Sequence, residues 1–106
     1  MTAALPFRRR RIVNCVAWAT GVSVAAMRGR LLWPADIIEA RHLAMWATRR
    51  LTEQSTTQIG GFFRRHHTTV LQALAKIERR RDDEPDYRRR TDILLAACRR
   101  ALANDR

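Results

Sequence analysis

A chain of 106 residues has room for one domain with a modest core. Its 46% apolar fraction is ordinary for a globular protein, but 21 Lys and Arg against 10 Asp and Glu, a net charge of +11, are not. That excess points to a polyanionic partner, nucleic acid ahead of an anionic membrane surface, and no stretch approaches the ~20 apolar residues a membrane span requires.

The charge is unevenly spread. Residues 8–30 hold six Arg and no acid, whereas acids and bases cancel from Asp82 onward. A bound polyanion is therefore expected against the first three quarters of the chain. The basic residues are Arg with one exception, Lys76; bidentate phosphate and guanine contacts and a GC-rich genome explain that bias equally well. Cys15 and Cys98 form no CxxC pair and no Cys–His cluster. Two reduced thiols are the plainer reading, with a disulfide left open. Asn14 interrupts the apolar run after Arg8–Arg11, so a signal peptide is not expected. The expected location is the cytoplasm, in association with the nucleoid.

In chain order, residues 1–10 read as a flexible basic N-terminal arm and residues 11–104 as one domain. A first helix runs to about Thr20, with Ile12, Val16 and Ala19 on one face and Gly21 ending it. The Arg8–Arg11 run suits nonspecific phosphate contact or a solvated helix start. Ser23 caps a short second helix over residues 22–27. Arg28, Gly29, Arg30 and Pro34 mark a loop, and its Leu31, Leu32 and Trp33 read as core packing or an exposed patch for a partner protein. Asp36 with Glu39 three residues on is the capping-box pattern. The third helix it opens carries Ile37, Ala40, Ala44, Ala47 and Leu51 inward to about Thr52.

Two helices joined by a tight turn follow. Ser55 or Thr56 caps the first, which carries Ile59, Phe62 and Phe63 inward, while Gly60 and Gly61 leave room for another backbone. Arg64 and Arg65 occupy the turn. The second helix, from about His66 to Arg81, buries Val70, Leu74 and Ile77. Its other face shows His67, Thr68, Gln72, Lys76, Arg79 and Arg80. Short hydrogen-bonding groups at the start and cations toward the end are what a helix reading the DNA major groove needs. Pro85 opens a last helix with Ile93, Leu94, Ala97, Cys98 and Ala101 as its apolar stripe, and Asp86, Arg88, Arg89, Arg90 and Asp92 as a solvated face. The fold class expected is all-α, a compact bundle of about six helices containing a helix-turn-helix.

Ile59–Gly60, Arg65, His67 to Leu71, and Ala73 with Lys76–Ile77 resemble the signature of the C-terminal DNA-binding domain of the bacterial replication initiator DnaA. Residues 36–45 are similar to the helix that precedes that signature, and Ile12, Val16–Ala17, Val22, Val24–Ala25 and Met27 to the first two helices. The likeness covers residues 11–102. The chain has no room for the nucleotide-hydrolysing module of a full initiator, so a stand-alone domain is expected. The resemblance implies that Arg28 and Arg30 lie in the loop whose Arg enters the minor groove, although Leu31–Trp33 replace residues usually basic or small. Arg41 and His42 fall where the family touches the DNA backbone, a solvated helix surface being the plainer alternative. Arg65, His67, Thr68 and Thr69 occupy positions that contact bases or phosphates; Gln72 and Lys76 share that face. Arg64 stands where a small turn residue is usual. His66 replaces an Asp able to accept from cytosine N4; a donor there shifts preference by about 1–3 kcal/mol at one base pair.

The function expected is sequence-specific binding of double-stranded DNA at DnaA-box-like sites, regulating replication initiation or transcription. The alternative is an adaptor that contacts replication proteins through Leu31–Trp33. No GxxxxGK[ST] loop binds a nucleotide, and no carboxylate cluster accompanies His66–His67 to hold a metal. Neither enzymatic activity nor a cofactor is expected.

Overall fold

The computed structural model describes residues 4–30 and 34–103. They form α1 (Ala4–Thr20), α2 (Val24–Arg28), α3 (Ala35–Leu51), α4 (Thr56–Phe63), α5 (His67–Asp83) and α6 (Pro85–Ala103), with no strand among the described residues. The all-α bundle of six helices read from the sequence is what folds.

The core is organised around α3, which touches each of the other five helices. Its residues 40–41 and 43–48 are all buried, so the apolar spacing of Ala40, Ala44 and Ala47 describes only part of a helix enclosed over its middle. The three alanines let neighbouring backbones come near, while Leu43, Met45 and Trp46 fill the spaces between them. Full burial of a side chain the size of Met45 contributes about 1.5–3 kcal/mol. The start of α3 departs from the expected capping box. Pro34 occupies the N-cap without a side-chain bond, and Asp36 lies in the first turn, where its Oδ1 accepts from the Ile37 amide at 2.9 Å. Glu39 is engaged elsewhere: it accepts from the Tyr87 hydroxyl at 2.8 Å and pairs with Arg80 at 3.5 Å.

Helix α1 begins at Ala4, so the arm expected over residues 1–10 is helical from that point. Winding as a helix carries three arginines onto other elements. Arg8 donates to the Leu51 carbonyl, Arg9 to Gln54 Oε1 and Arg11 to the Ala101 carbonyl. These bonds tie α1 to the end of α3, to the following connection and to α6. Ile12, Val13 and Val16 form the buried face; Val13 shifts its centre away from Ala19, which is exposed in the last turn. Gly21 takes φ +73° to end the helix, a conformation glycine adopts without penalty.

Pro85 opens α6 as expected, but its buried stripe is Tyr87, Thr91, Leu94, Leu95 and Cys98. Ile93, placed on that stripe from the sequence, is 61% exposed. Cys15 is half-buried and Cys98 buried, both as free thiols. Burial and the neighbouring Cys15 push the Cys98 thiol well above its usual value.

Candidate nucleic-acid interface

The turn between α4 and α5 is set by backbone contacts at Gly60. Ser55 and Gln58 form a complete capping box that starts α4, its two bonds 3.1 and 2.8 Å long. At the other end Arg64 adopts the left-handed conformation, φ 59° and ψ 42°, and the Arg65 amide returns to the Gly60 carbonyl at 2.8 Å. That return brings the Arg65 carbonyl oxygen against the Gly60 α-carbon, where a Cβ would collide with it. Of the two glycines expected to admit a backbone, Gly60 does so. Gly61 is exposed, with open space around it.

From this turn α5 leaves with its inner side fixed. Val70, Ala73 and Ile77 are buried and Leu74 half-buried, whereas His67, Thr68, Gln72 and Lys76 are exposed and Thr69 half-buried. His66 is the N-cap rather than the first helical residue. Its Nδ1 accepts from the Thr68 amide at 3.2 Å and lies 2.8 Å from Thr68 Oγ1. The ring also packs on that of His67, centroids 4.3 Å apart. Trp46 Nε1 donates to Glu78 Oε2 at 2.7 Å further along α5. Near its end Arg81 is 5% exposed. It donates to Thr91 Oγ1 at 2.6 Å and to Asp92 Oδ1 at 2.9 Å.

The remaining candidate cations divide sharply. Arg30 and Arg64 are exposed. Arg41 is 4% exposed, which corrects its expected place on the surface. Its guanidinium donates to the carbonyl of Met27 at 2.6 Å and of Gly29 at 3.5 Å, so it secures the end of α2 from inside. Burial and the nearby Arg65 lower its pKa. Arg65 is half-buried and donates to the carbonyls of Phe63 at 2.9 Å and Gly29 at 2.8 Å. Arg28 bonds the Phe62 carbonyl at 2.7 Å and lies over the Phe62 ring. The Arg9 guanidinium lies over the same ring, each 4.5 Å from its centroid. Burial, with Arg28 and Arg10, lowers the Arg9 pKa.

His42 lines a groove of about 290 Å³ with Glu39, Lys76, Arg80 and Tyr87. Burial first, then the cations Lys76, Arg41 and Arg65, lower its pKa; Glu39 offsets them in part. The turn, α5, the end of α2 and His42 are therefore neighbours, with Arg41 and Arg65 as the bolts between them. Sequence reasoning missed Arg81, Trp46–Glu78 and the Phe62 ring shared by two guanidiniums. A signal for the last was present: six Arg without an acid over residues 8–30 must find carbonyls and aromatic faces instead. Leu31, Leu32 and Trp33, the expected adaptor patch, lie outside the described residues.

Among the described residues no helix is long and apolar enough to cross a membrane. A family model described as the bacterial dnaA protein helix-turn-helix matches residues 10–77. No curated protein matches the chain.

Proposed function

Because the chain belongs to the bacterial DnaA helix-turn-helix family, a DNA-binding family, we propose that it binds double-stranded DNA by inserting the start of α5 into the major groove. The observation that carries this reading is the division of α5 itself. Val70, Ala73 and Ile77 anchor one side, and His67, Thr68, Gln72 and Lys76 stand exposed on the other. His66, His67, Thr68, Thr69 and Gln72 are the groups for base edges. Lys76, Arg64 and Arg30 serve phosphates, where each contact adds about 0.9 to the slope of log affinity against log salt. Arg41, Arg65 and Arg28 act by holding the elements that carry them, and His42 by flanking Lys76.

The preferred targets are DnaA-box-like sites, whose occupation would regulate replication initiation or transcription from neighbouring promoters. Fluorescence anisotropy with a box-containing duplex and a scrambled duplex of equal length tests base reading. The box should bind more tightly, and Thr69→Ala should abolish the difference while leaving weak, salt-sensitive binding to both. Absence of binding to either duplex would refute the reading. Competition with the initiator for an origin fragment separates the two roles, since a regulator of initiation must displace it.

A further inference from the structure

We infer that His66 reads its base pair as a hydrogen-bond donor, its imidazole held in the Nε2–H form by capping α5, so that the preferred DNA site presents an acceptor there, guanine first, and excludes cytosine. This rests on the proposed entry of α5 into the major groove and names the chemistry of one position within it.

The first amides of α5 have no partner within the helix, and the Thr68 amide is satisfied by His66 Nδ1 at 3.2 Å. A ring nitrogen that accepts from an amide carries no proton, so the proton of the neutral ring sits on Nε2. The Thr68 hydroxyl, 2.8 Å from the same Nδ1, is then its second donor. The ring cannot turn to offer Nδ1 to a base without releasing both bonds. Packing against His67, with ring planes 35° apart, supports the same orientation. Nε2 lies on the opposite edge of the ring, on an exposed residue, and among the described residues nothing is hydrogen-bonded to it.

His66 thus offers one preorganised donor at the N-terminal end of the reading helix. In the major groove guanine presents two adjacent acceptors, N7 and O6, while cytosine presents only its N4 amino donor. Adenine and thymine offer one acceptor each, beside an amino donor or a methyl group. The order expected at this base is guanine, then adenine or thymine, with cytosine last by about tenfold in affinity.

The test is selection of binding sites from a random duplex pool by the wild type, His66→Asp and His66→Asn. Both replacements are good N-caps, so α5 keeps its start; thermal melting checks this. Asp turns the outward donor into an acceptor, whereas Asn still directs an amino donor outward when its oxygen caps. One position of the selected motif should change from guanine to cytosine in His66→Asp and keep its acceptor base in His66→Asn. Paired duplexes differing at that position should reverse their roughly tenfold preference. Identical motifs in all three proteins, or cytosine at the responding position for the wild type, would overturn the inference and leave His66 as a cap alone. Failure of the wild type to enrich any motif would instead overturn the proposed base reading, and this inference with it.

Discussion

Replacing Arg41 with alanine separates a structural role from a DNA contact. The guanidinium is 4% exposed and donates to the Met27 carbonyl at 2.6 Å. A hydrogen bond to a charged group contributes about 1.5–3 kcal/mol, and an acceptor left without its donor in a buried setting adds desolvation cost. The second bond, at 3.5 Å to the Gly29 carbonyl, is weak. Against these stands relief from burying a cation, so the net loss in Arg41→Ala is about 2–4 kcal/mol. Unfolding entropy near 2.1 cal/mol/K per residue converts this to a fall in Tm of roughly 9–18 °C for a chain of this length. Thermal melting by far-UV circular dichroism gives the first readout. The second is the salt dependence of DNA affinity, measured well below the variant's Tm. Its slope should match the wild type, because no phosphate contact has gone. An unchanged Tm with a slope shallower by about 0.9 would put the Arg41 head on a phosphate and refute the structural assignment.

The paired glycines of α4 should respond in opposite directions. Gly60→Ala drives a Cβ into the Arg65 carbonyl and should destabilise by about 1–3 kcal/mol, with DNA affinity falling as the turn opens. Gly61→Ala meets open space inside a helix and should be neutral or stabilising by about 0.5–1 kcal/mol; denaturant titration distinguishes them, and equal effects would contradict the turn geometry. For His42 the folded pKa lies below the ordinary 6.5, so the unfolded chain takes up the proton first as pH falls. Its stabilising contribution is complete above pH 6.5 and shrinks below it, through the lowered folded value. The Tm difference between about pH 7.5 and 5.5 should therefore be smaller in His42→Gln than in the wild type.

Helices were legible wherever apolar residues recur at helical spacing and caps are local. Val70 and Ile77, the Ser55 cap, Ser23 and Pro85 all depend on neighbours within one or two turns, and the structure uses them as the sequence suggested. What escaped depends on partners far along the chain. The Asp36–Glu39 box is plausible locally, yet Glu39 answers to Tyr87, 48 residues away. Arg41 reads as a surface cation from sequence, and nothing local singles out Arg81, because Arg is seldom buried. Their burial becomes intelligible only when the α2 carbonyls, or Thr91 and Asp92, converge on them. At the candidate site the exposed start of α5 was legible, while the capping role of His66 required the ring geometry.

The partners of the arginines carry a further consequence for the proposed duplex. Arg8, Arg9, Arg28 and Arg65 donate to carbonyl and amide oxygens, which are neutral dipoles. They stiffen the first half of the fold without cancelling its charge. Arg80, Arg81, Arg88 and Arg89 instead pair with Glu39, Glu78, Glu84, Asp82, Asp86 and Asp92. Those pairs stiffen the end of α5 and α6 while neutralising them. Arginine therefore plays two parts: near the turn and the end of α2 it joins the elements and leaves a positive field, and around α6 its ion pairs remove one. A polyanion is steered by the uncancelled charge, so the duplex should approach the side bearing Arg30, Arg64 and Lys76 rather than α6.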